Sequence, residues 1–180
     1  MAVLVDCGVC VMRSWRHGDE AGLPRHANNR AVWLNLRDRF PHPYTADDAE
    51  AWVKHVTARD PEASFAIDVG GEAVGGVSLM LHTDVERCSA EIGYWLGEAH
   101  WGRGIATAVI RAATRYAFET LGMERVFAVP FAPNAASMRA LEKAGYVREG
   151  LLRRSAIKDG KILDQAMYAA IRGEWTPPPP

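Results

Sequence analysis

The sequence predicts a mixed α/β (α+β) fold: a single domain with a largely antiparallel sheet flanked by helices. The chain has 180 residues and a mass of 19.8 kDa, the size of one domain, with 48% hydrophobic residues to fill a core. One strand-like run is followed by helices, then three strand-like runs, then helix, strand, helix and two strands. The hydrophobic period switches to 3.6 directly after Trp101-Gly102-Arg103-Gly104.

From Gly8 to Trp15, the residues Val9, Val11, Arg13 and Trp15 alternate and suit a first strand. Gly18 onwards reads as helix. Thr45 sets a capping hydroxyl before the acidic turn of Asp47 and Asp48, and Trp52, Val53 and Val56 carry a helix to about Arg59, closed by Pro61. Ser64 to Val69, Ala73 to His82 and Ser89 to Leu96 form an antiparallel meander, with Gly70-Gly71 as a hairpin signal. Ile105, Val109, Ala112, Ala113, Tyr116 and Ala117 share one helix face until Leu121-Gly122. Arg125 to Val129 is a short strand. Asn134 to Ala144 is a helix capped by Asn134 and ended by Gly145. Two strands follow, from Tyr146 and from Lys161, with Asp159-Gly160 as their turn. The domain is expected to span 1–176. Pro177 to Pro180 lack backbone donors and are expected to be a disordered tail.

Lys+Arg 21 against Asp+Glu 22 gives a net charge of -1, without the basic excess that a nucleic-acid binder needs. No run approaches the roughly 18 apolar residues of a membrane span. The start Met1-Ala2-Val3-Leu4-Val5-Asp6 has no basic head, so it does not read as a secretory signal. A cytoplasmic protein with no nucleic-acid or membrane partner is therefore expected. Cys7 and Cys10 form a Cys-x-x-Cys with no second pair; with Cys88 the only other thiol, they read as buried and inert. His17, His26, His55, His82 and His100 lack ligand spacing, so no metal is expected.

The chemistry lies in Glu91-Ile92-Gly93-Tyr94-Trp95-Leu96 followed by Trp101-Gly102-Arg103-Gly104-Ile105-Ala106-Thr107. A glycine turn between a strand end and a helix start collects unpaired N–H groups and the helix dipole at one spot, which attracts phosphate. A Cβ at either glycine would hold the backbone back from a pyrophosphate, Ala106 is small enough for close packing, and Arg103 can add charge. The alternative is a turn that serves only chain reversal. A dinucleotide fold would want glycine where Thr107 stands, and a Walker loop would want Gly-Lys-Ser or Gly-Lys-Thr. A pyrophosphate site of another kind remains.

The run resembles the coenzyme A signature of the GNAT N-acetyltransferase superfamily: Gln or Arg, two residues, Gly, one residue, Gly or Ala. Gly104 and Ala106 match, and Trp101 stands in the first position. An aromatic there, with Gly93-Tyr94-Trp95-Leu96 upstream, is similar to the subgroup of ribosomal-protein alanine N-acetyltransferases. Asn134-Ala135-Ala136-Ser137, with Leu141-Glu142-Lys143-Ala144-Gly145-Tyr146 after it, resembles that subgroup's Asn-x-x-Ser helix, although a plain helix cap explains Asn134 equally. The resemblance covers the chain from the first strand to about Trp175. It implies a GNAT-like sheet, acetyl-coenzyme A as co-substrate, and coenzyme contacts from Trp95, Leu96, Gly102, Arg103, Gly104, Ile105, Ala106, Thr107, Asn134 and Ser137. By resemblance, Asn134 contacts the pantetheine arm and Ser137 faces the sulfur.

Acyl transfer to an amine needs a neutral amine, a donor for the oxyanion and a proton for the departing thiolate. The resemblance assigns the oxyanion to a backbone N–H near Trp95 and Leu96. Leu141 stands where many relatives carry an acidic tyrosine, which leaves Ser137 to serve the thiolate. Glu91 is the candidate base, directly or through water; an exposed or ion-paired glutamate, or a water chain alone, is the alternative. Some subgroup members carry a glutamate in the late hairpin, where Ala156 stands here. Trp33, Phe40, His42 and Tyr44 suit an acceptor groove or plain core filling, and Arg153, Arg154 and Lys158 suit an acidic acceptor or exposed strand charges. Trp33, Tyr44 and Arg154 are taken as the acceptor candidates. The expected function is direct transfer of an acetyl or related acyl group from acetyl-coenzyme A to a primary amine, such as a peptide N-terminus or small-molecule amine. The competing expectation is a non-catalytic acyl-coenzyme A sensor. Exposed edge strands would let two copies pair as a homodimer.

Overall fold

Eight strands share one sheet: β1 (Leu4–Asp6), β2 (Val11–Ser14), β3 (Ser64–Val69), β4 (Glu72–Leu81), β5 (Ser89–Leu96), β6 (Arg125–Ala128), β7 (Val147–Lys158) and β8 (Lys161–Ile171). The order across it is β1-β2-β3-β4-β5-β6-β8-β7. Every neighbouring pair is antiparallel except β5 and β6. The computed structural model describes residues 2–177. Of the expected proline tail, Pro177 lies against Gly145 and the rest falls outside the described residues.

The meander over β3, β4 and β5 stands as the sequence indicates, with Gly70 and Gly71 at φ 66 and 93, a conformation that side chains with a Cβ resist. Asp159-Gly160 closes the β7–β8 hairpin. Two local differences appear. The first strand is shorter than Gly8 to Trp15, because Cys7 to Cys10 form a turn closed by Cys7 N–H to the Cys10 carbonyl at 2.9 Å, and β1 pairs back onto β2. The helix expected from Gly18 is broken into a 3-10 turn (Asp19–Ala21), α1 (Leu23–Ala27) and α2 (Arg30–Trp33). Asparagines make the break: the Asn29 side chain accepts from the amides of Ala31 and Val32 and starts α2 afresh, while Asn28 accepts from Tyr44 N–H.

Helices cover both faces. α4 (Ile105–Glu119) and α5 (Ala135–Lys143) lie on the face that receives Phe65, Ile67 and Ile92. α1 and α3 (Ala46–Thr57) lie on the other, with Ala66, Trp15 and Tyr44. Alternation along β3 splits these residues between the two cores. Cys10 is buried and Cys7 half-buried; the hydrogen bond with Cys7, together with burial, pushes the Cys10 thiol up, which keeps it protonated. Among the described residues, no cluster of three metal-ligating side chains occurs, and no helix is long and apolar enough to cross a membrane.

One charged knot ties the 3-10 turn to the sheet. Buried Arg13 donates to both oxygens of Asp19 at 2.8 Å and to Asp68 at 2.7 Å. Asp19 also accepts from Arg16 N–H, and Asp68 from Gly71 N–H, so β2, the 3-10 turn and the β3–β4 turn meet at one guanidinium.

The α3 start is the capping box anticipated at Thr45: its hydroxyl accepts from Asp48 N–H at 3.2 Å, and Asp48 accepts from Thr45 N–H at 2.8 Å. Thr45→Ala is expected to cost about 1 kcal/mol, lowering the melting midpoint by about 2–4 °C in a calorimetric scan. The hydrogen bonds from the Thr45 hydroxyl and amide hold Asp48 below the usual carboxylate range. That half of the cap is therefore present at neutral pH and lost as pH falls through the lowered value.

Candidate active site

Where β5 ends, the chain turns through Gly102 and Gly104, both left-handed at φ 74 and 78, and enters α4 at Ile105. A Cβ built at either glycine meets nothing within 4 Å, so the space beside the turn is open. Gly104 gives α4 no side-chain cap, and among the described residues the backbone N–H groups of 102 to 107 find no acceptor. These amides, at the positive end of a 15-residue helix, suit a diphosphate. Arg103 on the turn, with Arg139 and Lys143 on α5, supplies positive charge around the same cleft. Burial and the nearby His26 and Arg103 hold the His100 imidazole below its ordinary value. The Trp101 indole N–H donates to the Leu96 carbonyl at 2.7 Å and closes the loop before the glycines.

The cleft opens because two strands part. β5 and β6 are in register only from Ser89 to Glu91. Gly97 N–H bonds the Val74 carbonyl, so alternation sends the main-chain groups of Trp95 and Gly93 to β4 and those of Tyr94 and Leu96 into the gap beyond β6. Tyr94 and Leu96, rather than Trp95, therefore present free amides there. From the far side α5 brings Asn134, which accepts from Ser137 N–H at 3.1 Å as its cap, and Ser137, whose Oγ lies 2.6 Å from the Tyr94 hydroxyl. Burial pushes the Tyr94 phenol up to about 12.

On the opposite face of the sheet, Glu91 projects into the cleft and is ion-paired with Arg37, which comes from the loop after α2. Beside it Phe40 packs on Tyr44 and Trp95 at ring distances of 5.1 and 5.4 Å. The whole cleft has a volume of about 1350 Å³. It gathers all of the coenzyme candidates together with Glu91 and Tyr44. Trp33 and Arg154 do not line it. Trp33 stacks on His42 and lies 3.6 Å beneath the Lys158 ammonium. Arg154 sits in a β7 irregularity, with its N–H on Asp164 at 2.7 Å. Lys158 is no exposed strand charge: it is 2% exposed and paired with Asp38 at 2.7 Å.

Arg37 escaped the sequence reading because its partner lies 54 residues away in a loop-to-strand contact that carries no periodic signal. The Tyr94 contact was within reach: alternation places Tyr94 on the face away from Glu91, toward the helix that carries Ser137.

The family model for the acetyltransferase (GNAT) domain matches residues 10–147, which include the glycine turn, the strand gap and the Asn134 to Ser137 helix start. The chain belongs to the GNAT acetyltransferase family. It is 40% identical over 83 residues to the uncharacterized N-acetyltransferase YoaA of Bacillus subtilis (strain 168), a match covering 46% of this chain and about half, 47%, of that protein's length. It is 26% identical over 136 residues to the spermidine N(1)-acetyltransferase of Escherichia coli (strain K12), covering 74% of this chain and 70% of that one. Among solved structures, Mycobacterium smegmatis RimJ in complex with CoA-disulfide superposes with a TM-score of 0.81 at 25% identity, over 96% of this chain and 88% of that one. The largely antiparallel GNAT sheet expected from the motif is the sheet observed.

Proposed function

We propose that this chain transfers an acetyl group from acetyl-coenzyme A to a primary amine by direct attack. The observation that carries the reading is the run of acceptor-free amides at 102 to 107 opening onto the gap between β5 and β6. Acetyl-coenzyme A, when bound, supplies an activated acetyl thioester. The chain's own residues divide the remaining work. The amides of Gly102 to Thr107 and Arg103 hold the diphosphate, and the free side-chain amide of Asn134 meets the pantetheine arm. The N–H groups of Tyr94 and Leu96 face the gap, where negative charge builds on the acetyl oxygen. As the amine nitrogen bonds the acetyl carbon and the carbon–sulfur bond breaks, Ser137 donates to the departing sulfur and Glu91, directly or through water, takes the ammonium proton. Arg37 holds the Glu91 carboxylate until a cationic acceptor competes for it.

Similarity to a spermidine N(1)-acetyltransferase supports a small-molecule amine acceptor, and similarity to a ribosomal protein uS5 alanine N-acetyltransferase of Escherichia coli (strain K12) supports a peptide N-terminus. Thiol release is to be followed against polyamines, amino acids and peptides. Turnover with at least one amine is expected, and Glu91→Gln should lower kcat about 100-fold with KM for acetyl-coenzyme A unchanged. Tight coenzyme binding without turnover on any amine would instead establish a non-catalytic sensor. An unaltered kcat in Glu91→Gln would assign the proton to a water chain.

A further inference from the structure

We propose that Tyr94 is a positioning residue for Ser137: its hydroxyl donates to Ser137 Oγ and so commits the serine's single proton to the gap, toward the coenzyme sulfur. The proposal rests on the coenzyme reading above, which uses only the main-chain N–H of Tyr94, and adds a role for its side chain.

The two hydroxyls are 2.6 Å apart; the Ser137 carbonyl, 3.4 Å from the phenol oxygen, can only accept, so it competes for the phenol's one proton across a much longer and weaker contact than Oγ does. One bond between two hydroxyls uses one proton, and its direction decides what the serine offers the gap. If Ser137 donated to Tyr94, the serine would turn lone pairs toward a departing thiolate. If Tyr94 donates, the serine proton is free for the sulfur. A phenol is a stronger donor and weaker acceptor than an aliphatic hydroxyl, which sets the direction from tyrosine to serine. Burial, which pushes the phenol up to about 12, keeps it protonated throughout the neutral range.

The surroundings hold this geometry. The Tyr94 ring packs against the core under α4, and Ser137 N–H is fixed to Asn134 in the first turn of α5. Tyr146, another buried phenol, is bonded to the Thr114 hydroxyl at 2.6 Å and does not compete. The bond thus bridges the two walls of the gap, β5 and α5, at the point where the coenzyme thiol is expected.

The test uses the full chain, coenzyme A and acetyl-coenzyme A. The pKa of the bound coenzyme thiol is read from thiolate absorbance during a pH titration, and affinity is read by calorimetry. Tyr94→Phe keeps the ring and its packing. It should leave acetyl-coenzyme A affinity within about twofold and raise the bound thiol pKa by about half to one unit. Ser137→Ala should raise it at least as far, and the double variant should match Ser137→Ala alone, because the phenol acts only through the serine. Ser137→Thr, which keeps a hydroxyl, should restore the wild-type value. A thiol pKa that moves in Ser137→Ala but not in Tyr94→Phe, or shifts that add in the double variant, would overturn the proposal while leaving the coenzyme site standing. Absence of coenzyme binding to the wild-type chain would overturn both.

Discussion

Gly104→Leu is expected to lower coenzyme A affinity by about 100-fold or more, measured by calorimetry. A side chain at this left-handed position, φ 78, would enter the open space that the amides of 102 to 107 face. Losing two charge-assisted hydrogen bonds to a diphosphate is enough for a change of that size. The substitution also carries backbone strain of about 1–2 kcal/mol, seen as a fall in melting midpoint of about 2–8 °C. Gly122→Leu separates the two effects. Gly122 has φ 70 and nothing within 4 Å of its built Cβ, but it lies past the other end of α4, about 22 Å away. It should show the same loss of stability with coenzyme affinity intact. Equal affinity in the Gly104 variant would remove the phosphate assignment.

The largest loss of stability is expected from Arg13→Met. The substitution removes the buried cation shared by Asp19 and Asp68, both buried, and leaves them only the exposed Arg16 guanidinium at 3.6 and 3.9 Å. Breaking a buried ion pair from one side costs about 3–5 kcal/mol, which lowers the melting midpoint by about 10 °C or more. Neutralising the whole group, as Arg13→Met with Asp19→Asn and Asp68→Asn, should recover much of that loss, because no uncompensated charge is left inside. Thermal melts of the single and triple variants check both statements. A single variant that melts within about 2 °C of wild type would show that Arg16 or water compensates the two carboxylates.

What could be read from the chain follows from how local each signal is. The meander, the Gly70-Gly71 turn, the Thr45 capping box and the start of α4 at Gly104 are written in residues a few positions apart, and each stands where periodicity and capping put it. The β1 strand is three residues long, too short for alternation to register. The break at Asn28 involves a contact with Tyr44 sixteen residues away, and the Asn29 cap, although local, restarts a helix of only four residues. At the site, the glycine turn and Asn134 were legible because a backbone need selects them. The surroundings of Glu91 and Lys158 were not, because their partners Arg37 and Asp38 reach them from a loop whose path only tertiary packing fixes.

The short β5–β6 ladder also matters for the sheet as a whole. Among the described residues the β5–β6 ladder that joins the leaf of β1 to β5 to the leaf of β6 to β8 runs only from Ser89 to Glu91, with the Cys88 carbonyl accepting from Glu124 and Arg125 N–H just before it and α4 laid across as a splint. The same missing rungs that make room for a guest leave a seam in the protein, so a molecule seated there would act as mortar between the two leaves. Docking and cohesion of the fold would then be one event viewed from two sides.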